Sequence, residues 1–388
     1  MKQQRTSQEW LANLVAFDST SRNSNLDLIA EIQGFVESLG LATRRTLDPS
    51  GKKANLFATL PASDGGTQGG IVLSGHTDVV PVDGQAWDTD PFQATTRGDK
   101  IYGRGTSDMK GFIAVTLALL PEFKKLPLAK PLHFAYSYDE EVGCHGAAVM
   151  IADLVKQGIR PEGCIVGEPT LLRPVVAHKG IHLYRCRTQG KATHSSLTPQ
   201  GCNAIEYAAR LICRLRERAE EIKQQGPFDQ DYDVPFTTLS TNTIQGGNAY
   251  NTIPSFCEFF FEFRNLPTIQ PEEVLKPIRR YINEELLPLM RKEYPQAAIE
   301  LDGLAGVPGF QGEEQASVTQ LLRQLRQDQG KHKVSYATEA GLFQQADIPT
   351  ILCGPGSIEQ AHRANEYIEI EQLSRCEGLL RDLVKAMV

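Results

Sequence analysis

The segment Ile71–Asp78, IVLSGHTD, joins a short apolar run to a histidine and a carboxylate. Glycines bound the run at positions 70 and 75, the pattern of a strand buried on both faces of a parallel sheet. Open α/β sheets hold their ligands just beyond the carboxyl ends of such strands. Other segments repeat the arrangement. Ile101–Tyr102 leads into GRGTSDMKG, residues 103–111, ahead of a helix predicted over Phe112–Leu120; Leu132–Tyr138 leads into Asp139-Glu140-Glu141. Cys164–Val166 leads into Gly167-Glu168-Pro169-Thr170, and Ile351–Cys353 into Gly354-Pro355-Gly356-Ser357 and then His362.

The surrounding chain alternates strands and helices. Leu26, Ile29, Ile32, Val36 and Leu39 share one face of a helix over Asn25–Leu39, which Gly40 stops. Strands are predicted at Ala54–Leu60 and Pro131–Tyr138, and helices at Ala147–Gln157, Gln315–Gln327 and Ile370–Val388. This order predicts an α/β fold, a mixed, mostly parallel sheet with helices on both faces. The middle of the chain reads differently. Strand Ile181–Gln189, helix Asn203–Ile222, strands Thr237–Ile244 and Phe256–Arg264, helix Glu272–Arg291 and strand Ala297–Leu301 make a β-α-β-β-α-β, ferredoxin-like unit. The expected organisation is a catalytic domain over 1–181 and 305–388, interrupted by an α+β insert over 182–304.

At 388 residues the chain is long enough for two such domains. Forty basic against 47 acidic residues give a net charge of −7, which argues against nucleic acid as a partner. No apolar run approaches the ~18 residues of a membrane span. The N-terminus, MKQQRTSQEWLANLVAF, shows neither a long apolar core nor a cleavage-site pattern, so no signal peptide is expected. The eight cysteines form no C-x-x-C pair; they fit a reducing cytoplasm and read as small core residues rather than zinc thiolates.

Taken singly, His76 reads as a satisfied core histidine, Asp108 as a helix cap, Glu140-Glu141 as a solvated loop and Glu168-Pro169 as a turn. Gathered at strand exits, the carboxylates would repel one another unless one or two divalent cations sat among them. Histidine and carboxylate without cysteine suit zinc, cobalt or manganese. Asp78 follows His76 by two residues, so on an extended chain it is placed to accept the second ring N–H. Of the adjacent Glu140 and Glu141, one is expected to bind metal and the other to take a proton from water. Other chemistries find little support: there is no Gly-x-Ser-x-Gly, and Gly103-Arg104-Gly105 lacks the third glycine of a nucleotide loop.

In order and spacing, SGHTDVVPVDG (74–84), YGRGTSDMKG (102–111), YSYDEEVG (136–143) and VGEPT (166–170) resemble the M20 co-catalytic metallopeptidases and amidohydrolases, and the likeness covers nearly the whole chain. The resemblance implies two divalent ions, zinc or cobalt: His76 and Glu168 completing the shell of one, Glu141 and His362 that of the other, and Asp108 bridging. It implies Glu140 as general base, Asp78 as the residue that orients His76, and a cis Asp108–Met109 peptide. It further implies a homodimer formed through the insert, with His194 of the partner subunit's insert as oxyanion donor and Asn251 and Arg264 meeting the substrate. From its own surroundings in sequence Arg264 reads equally as half of a surface ion pair.

Finer motifs are similar to those of bacterial acetylornithine deacetylases: GEPT followed by AHKG, then GKATHSS, GCNAIEYA, TEAGLFQ and CGPGSIEQAHRANEYIEI. They imply cleavage of N-acetyl-L-ornithine to L-ornithine and acetate, within arginine biosynthesis. Glu339, in TEAGLFQ, is then the expected partner of the ornithine δ-ammonium. Gly341 and Val142-Gly143 depart from the relatives' pattern and bear on substrate choice. Two other readings compete. One keeps the chemistry and changes the substrate: a succinyl-diaminopimelate desuccinylase, an acetylcitrulline deacetylase, or a broad aminoacylase or carboxypeptidase. The other is a metal-binding or interaction protein without catalysis, against which the intact Glu140-Glu141 pair speaks.

Overall fold

In the computed structural model, which describes residues 5–388, the Ile71–His76 strand lies inside a mixed sheet. It pairs in parallel with Leu132–Ser137 on one side, His76 opposite Ser137, and with Gly163–Pro169 on the other. Thr350–Gly354 adds a fourth parallel strand beside Gly163–Pro169. Antiparallel strands extend the sheet: Ala54–Leu60 and then Ala42–Leu47 beyond Leu132–Ser137, and Val175 paired with Leu352 on the other side. None of the four parallel strands has an exposed residue, so helices must cover both faces.

The pleat sorts what each face meets. Leu56, Ala58, Phe134 and Tyr136 join Trp10, Ile29, Phe112, Leu322 and Leu380 in one buried cluster. It unites helices Ser7–Val15, Leu26–Ser38, Gly111–Phe123, Ser317–Arg326 and Ile370–Lys385. Helices His145–Lys156 and Ala340–Gln345 pack on the sheet and on each other but share no residue with that cluster, which places them on the opposite face. Gly111–Phe123 approaches the sheet closely: a Cβ on Gly167 would lie 2.0 Å from Phe112 Cγ, so only glycine fits ahead of Glu168. The first helix is not anticipated by the sequence reading. A capping box between Thr6 and Glu9 starts it, and Trp10, Leu11 and Leu14 bury its inner face.

A second compact unit comprises His178–Gly309 with Val334–Ala337, and the first holds the other described residues. The second unit's four-stranded sheet runs in the order Thr238–Gly246, Phe256–Arg264, Ile181–Gln189, Ala298–Val307, antiparallel throughout. Cys257, Phe259, Phe261 and Phe263 alternate inward, against Leu211 and Leu215 of helix Ala204–Gln225 and Val274 and Ile278 of helix Pro271–Tyr281. Each buried phenylalanine is worth roughly 1.5–3 kcal/mol. On the open face Arg187 pairs with Glu300 and Asp302. The element order is β-α-β-β-α-β, as the periodicity predicts. The last strand, expected to end at Leu301, continues to Val307 because an irregularity between Gly303 and Ala305 lets the pairing resume.

All eight cysteines are unpaired, and only Cys213 is exposed. Among the described residues no helix is long and apolar enough to cross a membrane.

Candidate metal centre

The first unit brings together every side chain that the strand exits single out. His76 ends Ile71–His76, Glu140 and Glu141 follow Leu132–Ser137, and Glu168 lies near the end of Gly163–Pro169. His362 comes from the loop beyond Thr350–Gly354. Asp108 sits in the tight Thr106–Lys110 segment that opens helix Gly111–Phe123, and its peptide bond to Met109 is cis. His76 Nε2 lies 3.0 Å from Asp108 Oδ1, 3.9 Å from Glu168 Oε1 and 4.0 Å from Glu140 Oε2. His362 Nε2 lies 3.0 Å from Glu141 Oε2 and 3.5 Å from Asp108 Oδ2. Two groups result, His76/Asp108/Glu168 and Asp108/Glu141/His362, each with its ligand atoms within 4.8 Å of one another. Asp108 belongs to both and turns one oxygen to each histidine.

These residues fit a pair of divalent cations. The donors are imidazole nitrogen and carboxylate oxygen, a set suited to zinc-like ions. Glu168 Oε1 is buried without a hydrogen-bond partner, which is costly unless a cation completes it. Burial, reinforced by neighbouring carboxylates, holds Glu140 and Glu168 well above the usual carboxyl range and pushes Glu141 up to about 7. Hydrogen bonds to Asp108 and Glu141 raise His362 to about 10. Without cations, the cluster holds protons in their place.

The shifts carry a sign for stability. Glu141 titrates higher in the folded protein than its ordinary 4.5, so its support for the metal-free fold is complete below that pH and is lost as pH rises through about 7. His362 behaves alike: its support is complete below its ordinary 6.5 and disappears towards about 10. Both slopes run the same way. Zinc should therefore raise Tm more at pH 8 than at pH 5, because cations displace protons. Thermal melts with and without zinc check this; a zinc-induced shift that shrinks with pH contradicts it.

Asp78 and Glu339 make contacts that the sequence does not reveal. His76 Nδ1 lies 2.9 Å from the Asp78 backbone carbonyl and 3.6 Å from its carboxylate. That carboxylate accepts the Ser21 hydroxyl at 2.7 Å and the backbone N–H groups of Glu140 and Glu141 at 3.0 and 3.2 Å, so it holds the double-glutamate turn. Glu339, expected to meet a substrate ammonium, is fully buried. Its oxygens accept the hydroxyls of Ser74 at 2.5 Å and Ser137 at 2.7 Å, from the two strands that lead to His76 and to Glu140. It immediately precedes helix Ala340–Gln345, whose packing carries it beneath the sheet face.

In the second unit, His194 is exposed and pairs across a short ladder with Thr252. The Ser196 N–H donates to its Nδ1 at 3.2 Å, so a neutral ring keeps its proton on Nε2. Asn251 lies beside it, its carbonyl accepting the Ser195 N–H at 2.9 Å. Arg264, at the far end of Phe256–Arg264, pairs with Glu262 at 3.1 Å and is one-third exposed. Ser21 and Glu366, which bond Asp78 and the Asp108 backbone, escape the sequence reading. Neither follows a strand exit, and Ser21 stands 57 positions from Asp78, so no local spacing marks it.

Known proteins resemble this chain in sequence and in fold. The chain is 36% identical over 363 residues to an acetylornithine deacetylase of Pasteurella multocida, covering 93% of this chain and 91% of that protein. It is 34% identical over 373 residues to one of Klebsiella pneumoniae, covering 96% and 94%. Among solved structures, a tripeptidase from Staphylococcus aureus superposes with a TM-score of 0.74 at 18% identity, covering 99% of this chain and 98% of that one. Human carnosine dipeptidase 1 does so with a TM-score of 0.71 at 17% identity, covering 98% and 97%. Residues 72–386 match the family described as peptidase family M20/M25/M40, and the chain belongs to that family.

Proposed function

We propose that this M20 metallohydrolase removes the acetyl group of N-acetyl-L-ornithine, giving L-ornithine and acetate, in cytoplasmic arginine biosynthesis. The observation that carries the chemistry is the sharing of Asp108 between two ligand groups beside a glutamate that belongs to neither. The names of the relatives, at about a third identity over almost the full length, support the substrate. His76, Asp108 and Glu168 would hold one ion and Asp108, Glu141 and His362 the other, zinc in the first instance and cobalt as an alternative. Bound there, the ions supply polarisation of an acyl carbonyl and easier ionisation of water.

The protein's own groups do the rest. Glu140, kept basic by burial and by neighbouring carboxylates, takes the proton of the attacking water and returns it to the leaving amine. Asp78 holds the turn that aims Glu140. His194 of the partner subunit, in a homodimer formed through the second unit, donates Nε2–H to the tetrahedral oxyanion. Asn251 and Arg264 meet the substrate, Arg264 taking the α-carboxylate in exchange for Glu262.

A second reading draws on the burial of Glu339, the residue from which recognition of a δ-ammonium is expected. A desuccinylase, an acetylcitrulline deacetylase or a broad aminoacylase would use the same centre. Comparing kcat/KM separates them: N-acetyl-L-ornithine should exceed N-acetylcitrulline, N-succinyl-diaminopimelate and N-acetylmethionine by at least about tenfold, the scale on which pockets discriminate. A flat profile would establish the aminoacylase. In the same assay Glu339→Gln should lower acetylornithine and acetylmethionine hydrolysis by a common factor. A loss confined to acetylornithine would restore the δ-ammonium contact.

A further inference from the structure

Beneath the Asp108/Glu141/His362 group lies a buried carboxylate that touches none of the proposed ligand atoms. Glu366 is 1% exposed, and its two oxygens meet four donors and no acceptor. Oε2 accepts from Arg104 Nη1 at 2.8 Å and from the Gly105 N–H at 2.9 Å. Oε1 accepts from the Ser107 N–H at 2.9 Å and from the Asp108 N–H at 3.1 Å. Arg104, equally buried, carries the connection further: Nη1 donates to the Arg363 carbonyl at 3.2 Å and Nη2 to Gln85 Oε1 at 2.6 Å. Gln85 Nε2 in turn donates to the His362 carbonyl at 2.9 Å. The Trp87 ring lies 5.1 Å from the Arg104 guanidinium.

The consequence follows from where each ligand is rooted. His76 and Glu168 belong to strands locked into the sheet, and Asp78 holds Glu141 by its backbone. His362 stands on an irregular loop with φ +63°, and its side chain is 56% exposed, so packing alone does not hold it. Its side chain meets Asp108 Oδ2 at 3.5 Å, and the Glu366–Arg104–Gln85 chain ties its backbone to the Asp108 segment. We infer that Glu366 is a positioning residue that sets the affinity of the second cation group, Asp108/Glu141/His362, relative to the first. The inference rests on the two-metal reading above. Replacing the carboxylate by an amide turns an NH2 towards two N–H donors and leaves the Arg104 charge buried without its counter-ion. The segments that it ties then lose their fixed spacing.

The test is a zinc titration of metal-free protein in competition with a chromogenic chelator, with thermal melts to follow the fold. Wild-type protein is expected to take two equivalents. Glu366→Gln should keep the first within about threefold and bind the second roughly 10–100-fold more weakly, the cost usual when a residue supporting a metal ligand is lost. Unchanged affinity for both equivalents overturns the inference, as does equal weakening of both, which would make Glu366 a general support of the fold. Should Glu366→Gln fail to fold, Gln85→Leu decides. It leaves the carboxylate in place and removes the links of Gln85 to the His362 carbonyl, to Arg104 and to Trp87, and it should weaken the second equivalent by about 3–10-fold; no change there sinks the idea. If wild-type protein itself takes no zinc, the two-metal reading fails first, and the two failures are distinct.

Discussion

Glu140→Ala should lower kcat by ~10²–10⁴ while the protein still takes up two equivalents of zinc, since general acid–base groups contribute on that scale. Glu140 lies outside both ligand groups, yet its Oε2 is 4.0 Å from His76 Nε2, so it faces the cluster without completing either half. Its backbone is held by Asp78, and the Cys144 thiol lies 3.5 Å from its other oxygen. Removing the side chain therefore takes away a proton acceptor and leaves the cradle standing. Glu141 has the opposite position, 3.0 Å from His362 within the second group. Zinc analysis beside steady-state kinetics separates the two. Loss of zinc in Glu140→Ala, with activity per bound ion unchanged, would exchange their roles.

Mixing two inactive variants should restore activity. In His194→Ala the proposed oxyanion donor is gone, and in Glu140→Ala the proposed base is gone, so in the proposed homodimer each variant alone should be nearly dead. Removal of one oxyanion donor typically costs about 10²–10³ in kcat. If His194 serves the neighbouring subunit, a mixed dimer holds one complete site, with Glu140 from one parent and His194 from the other. Subunit exchange should then bring activity back. The exposed ring of His194, with Nδ1 accepting from Ser196, suits a donor that acts outside its own unit. A mixture that stays inactive would place His194 in its own subunit's site. Nearly full activity in His194→Ala alone would remove it from the reaction.

Much of the architecture is legible in the sequence because it depends on period and punctuation. The strand-exit glycines, the alternation through Phe256–Arg264 and the apolar stripe of Leu26–Ser38 are local signals, and the structure forms those elements nearly where they are read. The convergence of His76, Glu140, Glu141, Glu168 and His362 is legible for a related reason, since a parallel sheet brings its strand exits to one edge; Asp108 joins them from beyond Lys100–Tyr102, a strand of a separate three-stranded antiparallel sheet. What escapes is whatever depends on the third dimension. Asp78 clamps backbone N–H groups 62 and 63 positions away. Glu366 reaches Asp108 across 258. Glu339 reads as a substrate contact from its motif alone, but its place depends on how helix Ala340–Gln345 docks, and docking buries it. Charge and motif indicate that such residues matter, and only packing shows what they touch.

In the proposed reaction, hydrolysis depends on ions held by both groups that share Asp108. It is tested most directly by chelating the protein, returning zinc or cobalt in measured equivalents, and following acetate release from N-acetyl-L-ornithine at each step. The expected result is no acetate from the chelated protein, a rise with added metal and a maximum once two equivalents are bound. Full activity in the chelated protein, or no acetate with two ions bound, would contradict it.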